Sequence, residues 1–172
     1  MVITLVAGVV VLALSVAPSV RDVLSPHVRP QSPRAAAVLR EAISRSPTVA
    51  RLVATIERSD VLVFLNVATG PDDTLARTTI LGANEQVRLL HVVLNGRVSG
   101  DRLIELAGHE LQHAVEIAQM PAIRDNESLG RAYDRIGWQV DAGHFETDAA
   151  RHTEWQVGSE IRRRPARAKK AG

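Results

Sequence analysis

DRLIELAGHELQHAVEIA, residues Asp101 to Ala118, decides how this chain is read. Its apolar residues (Leu103, Ile104, Leu106, Ala107, Leu111, Ala114, Val115, Ile117 and Ala118) fall on nearly every side of a helix, and such a helix is buried. Its middle nevertheless carries His109, Glu110 and His113. Residues four apart share a helix face, so both imidazoles can point at one metal ion, with Glu110 next to them round the turn. Polar groups buried without partners are costly. A metal ion between the rings satisfies them; the plainer alternative is a core helix whose histidines bond to backbone carbonyls.

Outward from this helix, the apolar spacing predicts helices over residues 33–46 and 48–59. Strands follow at 60–67, 74–81 and 87–94, separated by turn residues at 69–73 and 84–86 and ended by Asn95-Gly96. After the motif helix comes a loop around Pro121, a helix over 126–138, a break at Gly143 and a last helix over 145–163. Helices, strands, then helices predict an α+β domain: a small antiparallel sheet packed with the motif helix and a following ligand helix.

The third ligand has several candidates. Glu116 and Gln119 stand where a three-histidine set would need Gly and His, so that pattern is excluded. A carboxylate is the remaining option, from among Glu116, Glu127, Glu146, Asp148, Glu154 and Glu160. Glu146 heads the otherwise mostly apolar stripe Ala150, Thr153, Val157, Ile161, and a carboxylate heading a buried face needs a cation. Glu154 lies on the stripe Thr147, Arg151, Gly158, Arg162, which reads as a solvated face. Glu146 is therefore the expected ligand; otherwise it merely decorates a first helical turn, where negative charge suits the dipole.

With its His109-Glu-Leu-Gln-His113 motif and the Phe145-Glu-Thr-Asp-Ala-Ala150 segment about thirty residues later, the chain resembles the gluzincin branch of the zincin metallopeptidases, and small secreted bacterial proteins with the same pairing. The resemblance covers roughly residues 60–160. It implies zinc held by His109, His113 and Glu146, a peptide or protein substrate, and Glu110 as general base toward a zinc-activated water. Many gluzincins place an Asp four residues after the ligand Glu to orient a ligand His. Here that residue is Ala150, so Asp148 or Glu105 must substitute or the site is weaker. Tyr133, His144, His152 and Arg135 are candidate donors to the developing oxyanion, with Tyr133 and His144 preferred. The strand over 74–81, as an edge, would align an extended substrate.

The remaining sequence bounds this reading. A chain of 172 residues without Cys suggests one domain and excludes a disulfide framework and a thiolate zinc site. Residues 1–20 hold an uncharged Val-, Leu- and Ala-rich run that reads as a signal peptide or membrane anchor, predicting export. Residues 21–33 read as a proline-marked linker, 34–161 as the metal-binding domain and 162–172 as a basic disordered tail. That tail carries 6 of the 21 basic residues; without it, 15 basic face 19 acidic, and the net +2 becomes −4. The acidic body gives a nucleic-acid partner no support. Two other classes stay open: a non-catalytic zinc protein, and an interaction domain associated with the membrane through its apolar N-terminus and basic tail.

Overall fold

The structure, a computed structural model, describes residues 25–70, 74–141 and 144–163. The expected signal or anchor segment, the turn residues 71–73 and the tail from 164 lie outside the described residues. Among the described residues, no helix is long and apolar enough to cross a membrane.

Two prolines start the first two helices. Ser32 caps α1 (Pro33–Arg45), accepting from the Ala35 N–H, with Pro33 in the first turn. Ser46 ends α1 and begins α2 (Pro47–Ile56): its N–H goes to Ala42 O, and its hydroxyl oxygen accepts from the Val49 N–H. Glu160 then covers the start of α2, accepting from Ser46 Oγ (2.5 Å), Thr48 Oγ1 (2.7 Å) and Thr48 N (3.1 Å). These bonds outweigh the effect of burial and hold its carboxyl below the usual range. Glu160 is thus a fold element, away from the metal motif.

The fold class is α+β, but the sheet is mixed, which corrects the antiparallel expectation. Its order is β1-β2-β4-β3, with β1 (Val28–Pro30), β2 (Val61–Ala68) and β4 (Arg88–Asn95) parallel, and β3 (Ala76–Ala83) antiparallel to β4. The reason lies in the two faces of each strand. β2 and β4 fully bury Val61, Val63, Leu65, Leu90, Val92 and Leu94 on one side, and half-bury Leu62, Phe64, Leu89 and Val93 on the other. Strands apolar on both faces belong inside a sheet. β3 carries Arg77, Thr78 and Thr79 and takes the edge. β1 falls within the expected linker; Pro30 is tolerated because it ends a short edge strand.

Helices α1 and α3 (Asp101–Gln119) lie against the buried face of the sheet, and α2 and α5 (Asp148–Arg163) pack on α3. The α3–α5 crossing is close because of glycine: a Cβ on Gly108 would stand 2.7 Å from Val157 Cγ2. The far end of α3 is held by Arg88, whose guanidinium is fully buried. It donates to Ile117 O (2.6 Å), Met120 O (2.9 Å) and Ala118 O (3.2 Å), and pairs with both oxygens of Asp60 (2.6 and 2.8 Å). Carbonyls left orphaned by the helix end are thereby satisfied.

After α4 (Asn126–Ile136) the chain does not run directly into the last helix. Trp138–Asp141 (β5) and His144–Glu146 (β6) form an antiparallel hairpin. Phe145 and Glu146, expected in a first helical turn, are in extended backbone. Thr147 explains the difference: its hydroxyl oxygen accepts from the Ala150 N–H, so the helix begins at Asp148. Gly137 makes room for β6, since a Cβ there would sit 2.0 Å from Glu146 O.

Candidate metal centre

Helix spacing sets the first two candidate ligands. His109 and His113 stand one turn apart on α3, 8% and 5% exposed, with their Nε2 atoms 3.1 Å apart. From β6, Glu146 Oε1 reaches to 3.4 Å from His109 Nε2 and 4.0 Å from His113 Nε2. The three ligand atoms lie within 4.8 Å of one another. Two nitrogens held tetrahedrally by one zinc at ordinary bond lengths sit about 3.3 Å apart. The spacing therefore fits.

The charges fit as well. His113 Nδ1 is 2.9 Å from Glu116 Oε2 in a hydrogen bond, and His109 Nδ1 is 3.0 Å from Glu154 Oε2 as a close ion-pair contact without hydrogen-bond geometry. With a proton on each Nδ1, both Nε2 atoms would turn lone pairs toward each other and toward Glu146, the arrangement that suits a cation; with a proton on one Nε2, the same 3.1 Å separation is a hydrogen bond between the rings. Burial opposes charge on His109, but Glu154, Glu110 and Glu146 prevail and lift its pKa above the ordinary imidazole value.

Neither orienting carboxylate is the one expected. Asp148 is exposed in the first turn of α5, and Glu105 is taken up by Arg102 and Arg162. Ala150 is buried, and the carboxylates that stand beside the two imidazoles are Glu154 and Glu116. The stripe that carries Glu154 is solvated only in part: Arg151 and Arg162 are exposed, but Thr147 and Gly158 are buried and Glu154 is half-buried where α5 packs on α3. Its carboxyl is held at about 2, chiefly by the His109 imidazole beside it, against burial and with help from Arg102. Glu116 is a ring-orienting group in place of a third ligand. It accepts from Tyr133 Oη and Thr147 Oγ1, each at 2.8 Å. Burial works to raise its pKa, but His113, Thr147 and Tyr133 together keep it low.

Glu110 is 3% exposed, and its Oε2 accepts from Thr78 Oγ1 on β3 at 2.6 Å. Tyr133, 3% exposed, sits on the Nδ1 side of His113 with its hydroxyl proton directed to Glu116. Burial first, then Glu116, pushes its pKa far up, so the hydroxyl keeps its proton. Tyr133 stands against the His113 ring, centroids 5.5 Å apart, and also lines the cleft. His144 belongs to β6, but its side chain lies outside the described residues. Arg135 is exposed; His152 is exposed and rests against Trp155, ring centroids 5.9 Å apart. Glu127 is an exposed partner of Arg131.

These groups share one cleft of about 240 Å³. His109, Glu110, His113, Glu146, Glu154 and Arg102 form its polar side; Leu106, Ile117, Leu129, Val140 and Phe145 supply apolar surface, and Leu75, Ala76 and Thr78 bring the edge strand. Sequence reasoning missed Thr78 and Thr147, and weighed Glu154 as a ligand only to set it aside. Only Glu116, one turn beyond His113, carried a local signal for its orienting role.

No family model matches the chain, and neither a curated protein nor a solved structure matches it.

Proposed function

We propose that this protein is a zinc-dependent hydrolase acting on peptide bonds, with His109, His113 and Glu146 holding the metal and Glu110 as general base. One observation carries the reading. Two histidines on α3 and a glutamate from β6, far apart in sequence, converge at a cleft wall, each imidazole is backed by a carboxylate, and a further glutamate stands beside them.

Held by His109, His113 and Glu146, zinc would supply Lewis acidity and would lower the pKa of water toward about 7. The chain's own groups do the rest. Thr78 fixes Glu110 Oε2, which leaves Oε1 to take the proton of the attacking water. The protonated Glu110 then returns that proton to the leaving amine. Glu116 and Glu154 keep the imidazoles turned inward, and Tyr133 and Thr147 hold Glu116 in turn.

The test is zinc stoichiometry by elemental analysis on residues 22–172, combined with peptide hydrolysis. About one zinc per chain should be bound, lost in His113→Ala and Glu146→Ala and kept in Glu110→Gln, while Glu110→Gln loses hydrolysis. Zinc retained in Glu146→Ala would remove the proposed ligand set. Zinc bound with no hydrolysis in wild type would leave a structural metal site.

A further inference from the structure

The outer edge of β3 is closed by a side chain. Asn126, first residue of α4, accepts from the Ile80 N–H through Oδ1 at 2.9 Å and donates to Ile80 O through Nδ2 at 3.1 Å. That is the pair of bonds a neighbouring strand residue would make. In an antiparallel strand, alternate residues turn their main-chain groups away from the partner. Leu75 O bonds inward to Asn95 N, and Ile80 bonds outward to Asn126, so Thr78 also faces outward. Its side chain meanwhile holds Glu110 beside the histidines.

A peptide paired to the Thr78 main chain would therefore lie next to the metal ligands. Its next pairing position, about 6.7 Å further along β3, is already occupied by Asn126. The first turn of α4 stands there as an end wall.

We infer that Asn126 is a specificity-determining stop, and that the substrates are peptides with a chain end within about two residues of the scissile bond on the Ile80 side. The inference rests on the peptidase reading and deepens it: the enzyme trims ends and spares internal bonds.

Peptides sharing one cleavable centre, extended stepwise on either side, test this with product masses as readout. Zinc-loaded wild type should cut only near one chain end. Asn126→Ala should accept extension there, because Asp125 still caps α4 through the Ser128 N–H and the helix remains. Binding gives a second readout. In a Glu110→Gln background, Asn126→Ala should tighten extended peptides about tenfold, the worth of two regained main-chain bonds, and leave short ones unchanged. Asn126→Asp, which keeps the acceptor and loses the donor, should fall between. Faster hydrogen exchange at the Ile80 amide alone would show that the edge opened without unfolding. Internal cutting by wild type, or an unchanged length preference in Asn126→Ala with Ile80 exposed, overturns the stop while hydrolysis persists. No cutting of any peptide by the zinc-loaded protein overturns the peptidase reading, and the stop with it.

Discussion

Helix α3 buries charge at two places, in opposite ways. At its C-terminal end the Arg88 guanidinium is fully buried, and its donors are spent on Asp60 and on carbonyls at the end of α3 and just beyond. In its middle His109, Glu110 and His113 are nearly as buried, but their groups converge on a point and open onto a cleft. The first cluster is complete by itself. The second has lone pairs and carboxylates facing inward and becomes favourable with a cation among them. Burial alone thus does not single out a candidate site; buried polar groups that converge on one point and open onto a cleft do.

The contrast can be broken experimentally. The largest effect belongs to the metal. Zinc at about a thousandfold over its dissociation constant should stabilise the wild-type fold by about 4 kcal/mol relative to chelated protein. The same comparison in a His109→Ala, His113→Ala double variant should give close to nothing, read by urea unfolding with and without chelator. Equal gains in both would mean that zinc acts elsewhere.

Next in size is Arg88. Arg88→Met orphans the end of α3 and leaves Asp60 without its cation, which should cost about 3 kcal/mol. Zinc per folded chain should stay at the wild-type value. Loss of zinc together with stability would erase the separation between the two clusters.

A smaller effect is expected at the ring-orienting carboxylates. Glu116→Gln and Glu154→Gln should each weaken zinc binding by about 10–100-fold with little change in fold, as measured by competition with a chelating dye. Undiminished affinity in both would show that the rings are held by packing alone.

The smallest effect is a pH dependence at the structural end. Arg88 beside it, against burial, holds the Asp60 carboxyl below its ordinary value of 3.8. A depressed carboxylate adds stability that is fully present above the unfolded-state value and is lost as pH falls through the folded-state value. Wild type should therefore exceed Asp60→Asn at neutral pH and approach it only on acidification below about pH 4. A gap that persists through that range would show that the pair acts by shape and not by charge. Asp60 is partly exposed, so solvent screens the effect.

Much of this was readable from local pattern. The H-E-x-x-H spacing put two imidazoles on one face whatever the surroundings, and apolar runs bounded by turn residues marked β2 and β4. Glu146 does stand beside the histidines, but the argument that pointed to it was partly mistaken: it does not open a helical stripe and sits on a strand just before the Thr147 cap. Glu154 was set aside because its stripe looks polar in sequence. Only the tight packing of α5 on α3, allowed at Gly108 by the absence of a Cβ, brings it to His109.

By itself, then, the sequence determined what is periodic and local: where α3 runs, which of its residues share a face, and that its buried polar groups required partners. Tertiary structure decided what depends on residues distant along the chain. It set the parallel pairing of β2 with β4, the meeting of Glu146 with the histidines, and the hold of Thr78 on Glu110. It also placed the Asn126 cap on Ile80 and the Arg88 brace at the far end of α3. A 3.6-residue period fixes neighbours within one helix, but it carries no information about which segment will supply the partner across a cleft.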